Sequence, residues 1–287
     1  MHARVLTPFF VLALVTISSA ARGESDFWEE MANPGILRYR ELVSSGREAI
    51  DAGDYTQALE SLEQARVLLP NDATAYSWIG YAQSRMGQHE EAVQACQRAL
   101  QIDAPSVLDE ERLAFQCATS HAQTGRNREA AELQGQMLAR GVSLLYRAAV
   151  LVSMGDMLVA SSCDGLDAAI ELFQEAVRDY PDHAGAHWRL AAALIRSGAD
   201  EEGRVELAAS VRLDPQWQSL MQGGAPVLPA YDIHLFRALG WEQLGHDDQA
   251  RSEWQAYLDA GGNESCWADL ARNHLANLAR RPQRRQR

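Results

Sequence analysis

Apolar positions along the chain recur at helical spacing for most of its length. No long β-branched run alternates polar and apolar in the manner of a strand. The clearest helical face lies near the C-terminus, in residues 263–281. There Trp267, Leu270, Ala271, His274, Leu275 and Leu278 fall on one side and polar residues on the other, the pattern of a helix covering the exposed end of a stack. The N-terminus has a different pattern. Residues 1–4 carry one positive charge, residues 5–17 are apolar apart from Thr7, Pro8 and Thr16, and residues 18–21 are small. That three-zone arrangement predicts a secretory signal peptide over residues 1–21, cut after Ala20 or Ala21. The 13-residue apolar run falls short of the roughly 20 residues a spanning helix needs, so no stable transmembrane segment is expected after cleavage.

Between these ends the chain repeats itself. Gly46, Gly53, Ala58, Leu62 and Ala65 recur 34 residues later as Gly80, Gly87, Ala92, Cys96 and Ala99. The spacing has a physical basis. Gly46 and Ala58 let two antiparallel helices approach, Leu62 fills the space between them, and Gly53 ends the first helix in a left-handed turn. Pro70 stops the second helix. The period and the small residues at these offsets resemble the tetratricopeptide repeat (TPR) family. The resemblance implies an all-α, right-handed superhelical solenoid of antiparallel helix pairs. About six units are expected, near residues 39–72, 73–106, 111–141, 148–183, 184–216 and 233–262, with the cap helix over 263–281. Residues 22–35 read as a linker. The Gly/Pro-rich segment 216–232 reads as a hinge within one continuous stack, and the Arg-rich tail 281–287 as disordered.

Composition narrows the chemistry. The formal charge is −13, and all 26 basic residues are Arg. Without lysine there is no Schiff base and no phosphate-loop lysine. A strongly acidic chain repels nucleic-acid phosphates, so no nucleic-acid partner is expected. His89-Glu90-Glu91 begins a zinc motif, but Val93 stands where the second histidine would be needed. His183 and His187 are too few to hold zinc without a third ligand, and they read as surface or groove histidines. No catalytic motif is found, so no enzyme activity, metal or cofactor is expected. Cys96 and Cys117 fall on neighbouring helices of the second and third units. They read either as a disulfide of an exported chain or as two small core residues. Cys163, in a long turn, and Cys266, at the cap, read as too far apart to pair.

The resemblance also implies a concave groove lined by the first helix of each unit, where family members hold an extended peptide or a partner helix. The family's groove positions fall here on Arg40, Val43 and Arg47, then Ser77, Tyr81 and Arg85. They continue with Arg112, Phe115 and Thr119, and then Trp188, Ala192 and Arg196. Arg and aromatic side chains at these places suit an acidic or C-terminal peptide segment. The expected function is an exported, periplasmic or secreted scaffold that binds a protein or peptide partner. An assembly subunit of a cell-envelope machine is the alternative.

Overall fold

The computed structural model describes residues 34–161, 163–217 and 228–281. Among them every regular element is a helix, and the helices come in antiparallel pairs. The expected signal peptide, most of the 22–35 linker, the middle of the 216–232 segment and residues 282–287 lie outside the described residues. Contacts cluster in two compact units, divided between Val107 and Leu108.

The first unit holds α1 (Pro34–Asp51), α2 (Tyr55–Leu68), α3 (Ala73–Arg85) and most of α4 (His89–Asp109). α1 packs on α2, and α2 on α3. Gly46 is where the first pair touches: a Cβ built on it would lie 2.6 Å from Leu62 Cγ, which is itself fully buried. Gly53 and Gly87 close the two tight turns at φ of 80° and 79°, a backbone region that side chains resist. Asp54 and Asp72 cap the following helices, accepting from the backbone N–H of Gln57 and of Thr74. Pro105 does not end α4 outright. The helix kinks at Asp103 (φ −152°, ψ 83°), whose carboxylate accepts from the Ser106 N–H and starts a further short helical stretch.

The second unit runs from α5 (Glu111–Gln123) and α6 (Asn127–Arg140) through α7 (Leu144–Ser161) and α8 (Leu166–Asp179). It continues with α9 (Ala184–Ser197), α10 (Asp200–Leu213), α11 (Asp232–Leu244) and α12 (Asp247–Asp259), and ends in α13 (Ala268–Arg280). The long turn before α8 is a short 3-10 helix, Cys163–Gly165. Gly155 of α7 leaves room for Phe173 of α8, as Gly46 does for Leu62: a Cβ there would sit 2.4 Å from the phenyl ring. α13 packs on α12 through Ala271 and Leu278, as its apolar face predicts. Arg281, the first residue of the segment 281–287, is paired with Asp247 and Glu242.

The segment leading into α13 also reaches back along the chain. Trp267 packs against the buried cluster shared by α7, α8 and α9, which includes Leu151, Phe173 and Leu194. Next to it, Cys266 is disulfide-bonded to Cys163, with Cα atoms 6.4 Å apart. This corrects the expectation that these two cysteines could not meet. The repeat register places them 103 residues apart along the stack, but the chain after α12 returns across the helix-pair turns.

Candidate functional site

In the first unit, α1 and α3 present the side chains that the repeat register assigns to a groove. Arg40, Arg47 and Arg85 are exposed, and Tyr81 is half-buried. The Arg47 guanidinium lies over the Trp78 ring, 4.9 Å from its centroid. Arg85 lies 5.9 Å from the Tyr55 centroid, and its Nε donates to the Tyr55 hydroxyl at 3.2 Å. A guanidinium resting on an aromatic face gives up some side-chain freedom in advance. Tyr81 meets the edge of Trp78 at 5.8 Å. α3 itself contains no acidic residue. Val43 and Ser77, two more assigned positions, are buried, and the Ser77 hydroxyl donates to the Ala73 carbonyl. They support the face from behind and offer no contact surface.

Asp72 secures the same two helices. It accepts a 2.5 Å hydrogen bond from the Tyr39 hydroxyl and a 2.8 Å bond from the Thr74 N–H. Burial pushes the Asp72 carboxyl up, but these hydrogen bonds outweigh it and hold the group below the ordinary carboxylate range.

In the second unit the assigned positions behave differently. Phe115 is half-buried and meets the edge of Tyr146 at 5.9 Å. The Thr119 hydroxyl donates to the Phe115 carbonyl, and Arg112 is half-buried. Trp188 is fully buried and Ala192 nearly so, which corrects their placement in a groove. The reason is Trp217, a residue outside the repeat register. It packs edge-on against Trp188 at 6.0 Å and thickens the core there. Gly240 makes the space: a Cβ on it would fall 2.8 Å from Trp188 and 3.0 Å from Trp217.

Arg196 is drawn inward too. Its side chain is only 3% exposed, its Nη2 donates to Asp232 at 2.8 Å, and its guanidinium lies 5.3 Å from the Trp267 ring centroid. A second buried pair lies beside it: Arg189 Nε donates to both Asp156 oxygens, at 2.9 and 3.2 Å. Burial pushes the Asp156 carboxyl up, and Arg189 opposes that shift. These ion pairs fix how α7, α9 and α11 sit together. Removing one partner strands a buried charge, at a cost of about 3–5 kcal/mol.

The histidines expected at the surface are structural. His183 Nδ1 accepts from the Ala186 N–H and so caps α9. His187 is buried, with Nδ1 on Glu206 at 2.5 Å and Nε2 on the Pro181 carbonyl at 2.9 Å. Both rings are committed. Among the described residues no group of three or more His, Cys, Asp or Glu side chains is placed to hold a metal ion. Cys96 is buried in the first unit and Cys117 in the second. No helix among the described residues is long and apolar enough to cross a membrane. The sequence reading missed Trp78 and Tyr55, the rings under Arg47 and Arg85. Their signal was present: an aromatic 31 residues after Arg47 and another 30 before Arg85 fall close to one repeat period away.

Comparison with known proteins agrees with this architecture. Two family models, both described as tetratricopeptide repeat, match residues 44–107 and 166–223. No curated protein matches the sequence. Among solved structures, the pilF protein of Pseudomonas aeruginosa superposes with a TM-score of 0.57 at 15% identity, covering 84% of this chain and 100% of that one. A double mutant of the MamA protein from strain RS-1 gives a TM-score of 0.52 at 16% identity, covering 63% of this chain and 97% of that one. At such identities the likeness shows the fold alone. Paired helices joined through glycine turns at a 34-residue period, together with the two matched stretches, establish that the chain belongs to the tetratricopeptide-repeat family.

Proposed function

We propose that the protein is an exported, non-catalytic scaffold that binds an acidic segment of a protein or peptide partner across the exposed face of α1 and α3. The observation that carries this reading is the pair of exposed guanidiniums held on aromatic rings, Arg47 on Trp78 and Arg85 on Tyr55, with Arg40 on the same helix as Arg47. In a chain of net charge −13, Arg40, Arg47 and Arg85 stand on a face whose α3 has no carboxylate and whose α1 also carries Glu41, Glu48 and Asp51, and these three arginines favour an acidic guest. Arg forks take carboxylates two bonds at a time, and the half-buried Tyr55 and Tyr81 rings add contact area at low entropy cost.

Export to the periplasm, or secretion, rests on the charged, apolar and small-residue zones of residues 1–21. N-terminal sequencing of the protein recovered from its host's envelope fraction tests it. A start at residue 21 or 22 supports export, and an intact residue 1 in the cytosolic fraction overturns it. The binding reading is tested by affinity capture from crosslinked envelopes with the parent chain and with Arg40→Glu/Arg47→Glu/Arg85→Glu. All three positions are exposed, so the fold should survive, as circular dichroism would verify. Loss of a specific partner in the variant supports the α1–α3 face, and equal capture by both proteins refutes it.

A further inference from the structure

We infer that the chain's own segment 24–31 is the resident occupant of the α1–α3 face, so that an outside guest must displace it. This rests on that face being the binding surface, and adds what controls access to it. The segment reads Glu24-Ser25-Asp26-Phe27-Trp28-Glu29-Glu30-Met31. It has four carboxylates, no basic residue and two aromatic rings, the composition that the face favours in a guest. It lies outside the described residues, and α1 begins at Pro34, three residues after it.

Charge is complementary. Among the described residues the Arg47 guanidinium, 4.9 Å from the Trp78 centroid, has no carboxylate partner. α3 carries no acid. On α1, Glu41 pairs with Arg38, and Glu48 accepts from the Ser44 hydroxyl. Asp51, one turn past Arg47, ends the cationic stretch. The half-buried Tyr81, beside Trp78, offers an aromatic surface to Phe27 or Trp28. Reach agrees with charge. Arg40 and Arg47 stand about 9 and about 20 Å along α1 from Pro34, at about 1.5 Å per residue. An extended chain covers about 3.3 Å per residue, so Glu30 and Glu29, four and five residues before Pro34, reach the level of Arg40 once the chain doubles back. Asp26, eight residues before Pro34, reaches the level of Arg47. The Asn33-Pro34 step favours the turn that doubling back needs. So short a tether holds the segment at a local concentration on the order of 1 mM. With an affinity on the order of 100 µM, it weakens a free acidic guest about tenfold.

The test uses the full chain as its host produces it. The probe is a fluorescein-labelled peptide of residues 24–31, read by fluorescence polarisation. It is titrated with the parent, with Glu24→Gln/Asp26→Asn/Glu29→Gln/Glu30→Gln, and with that neutralised chain carrying Arg47→Glu as well. Neutralising the segment should tighten probe binding about tenfold over the parent, and Arg47→Glu should abolish the gain. A gain that survives Arg47→Glu overturns the inference. Equal binding by the parent and the neutralised chain, lost with Arg47→Glu, also overturns it but leaves the acidic-guest reading standing. Absence of binding by all three chains overturns both. A second measurement keeps the segment's charges and so decides even where the neutralised chain folds poorly. A photoreactive residue replaces Trp28 in the otherwise unaltered chain, and the crosslinked peptide is mapped by mass spectrometry. The expected adduct is intramolecular, on residues 40–47 of α1 or 81–85 of α3. An adduct at Val67 or Leu68, exposed at the end of α2, or one between two chains, overturns the inference.

Discussion

The Cys163–Cys266 bond makes a quantitative prediction about the second unit. Replacing both residues with serine removes a covalent ring that spans 103 residues of the chain and encloses α8 to α12. Both positions are exposed, so the substitution leaves no cavity and buries no hydroxyl. On the chain-entropy account, closing a ring of that size removes about 16 cal/mol/K from the unfolded ensemble, or about 4.7 kcal/mol at 25 °C. With a urea dependence of about 2 kcal/mol/M, the midpoint should fall by about 2 M. Tryptophan fluorescence reports on this unit directly, because Trp188, Trp217, Trp241, Trp254 and Trp267 all lie in it, five of the seven tryptophans of the chain. The assay is urea denaturation of parent and Cys163→Ser/Cys266→Ser side by side without reductant. Coincident midpoints would refute the reasoning, since a ring that large cannot be opened without loosening the unfolded chain.

Further predictions concern packing, pH and thiols. Gly46→Ala pushes a Cβ to 2.6 Å from Leu62, and Ala92→Leu overfills a site that is 1% exposed. Each should cost about 1–3 kcal/mol, read as a lower melting temperature, and an unchanged value would argue against the assigned repeat register. His183 is held below its ordinary pKa of 6.5, first by burial and then by the nearby Arg189 charge. Its contribution to stability is therefore complete above pH 6.5 and lost as pH falls through that value, and His183→Asn, which keeps a capping acceptor, should flatten the melting-temperature profile between pH 7 and 5. For Asp72, held below 3.8, the corresponding loss comes only as pH falls below about 3.8, and Asp72→Asn should remove it. Of the two readings of Cys96 and Cys117, a disulfide predicts no free thiol in the denatured oxidised chain and four after reduction. Two free thiols before reduction would reject it.

The repeat was legible because its constraints are local and recur at fixed offsets. A glycine must stand where Leu62 or Phe173 crosses the partner helix, and another must turn the chain at positive φ at Gly53 and Gly87. Such demands leave a 34-residue signature that needs no knowledge of the fold around it. The exposed face of α1 and α3 was legible in part for the same reason, since Arg40, Arg47 and Arg85 occupy regular register positions. What the register could not reveal were contacts made by residues outside it. Trp217 follows the fifth helix pair and belongs to no repeat position, yet it converts Trp188 from a groove residue into a core residue. Trp267 and Cys266 return along the stack to α7, α8 and Arg196, a long-range closure that periodicity does not encode. The commitments of His183 and His187 were hidden likewise, because their partners are a backbone N–H, a backbone carbonyl and Glu206, which lies on the following helix.

The central claim is that the exposed face of α1 and α3 is where a partner docks. Site-specific photocrosslinking in the native host tests it most directly. A photoreactive residue is placed at Ser44, exposed on α1 between Arg40 and Arg47, and in a separate chain at Glu60, exposed on α2. The account predicts a discrete crosslinked adduct from position 44 that disappears with Arg47→Glu, and none from position 60. An adduct from position 60 alone, or one from position 44 that is indifferent to Arg47→Glu, would contradict it.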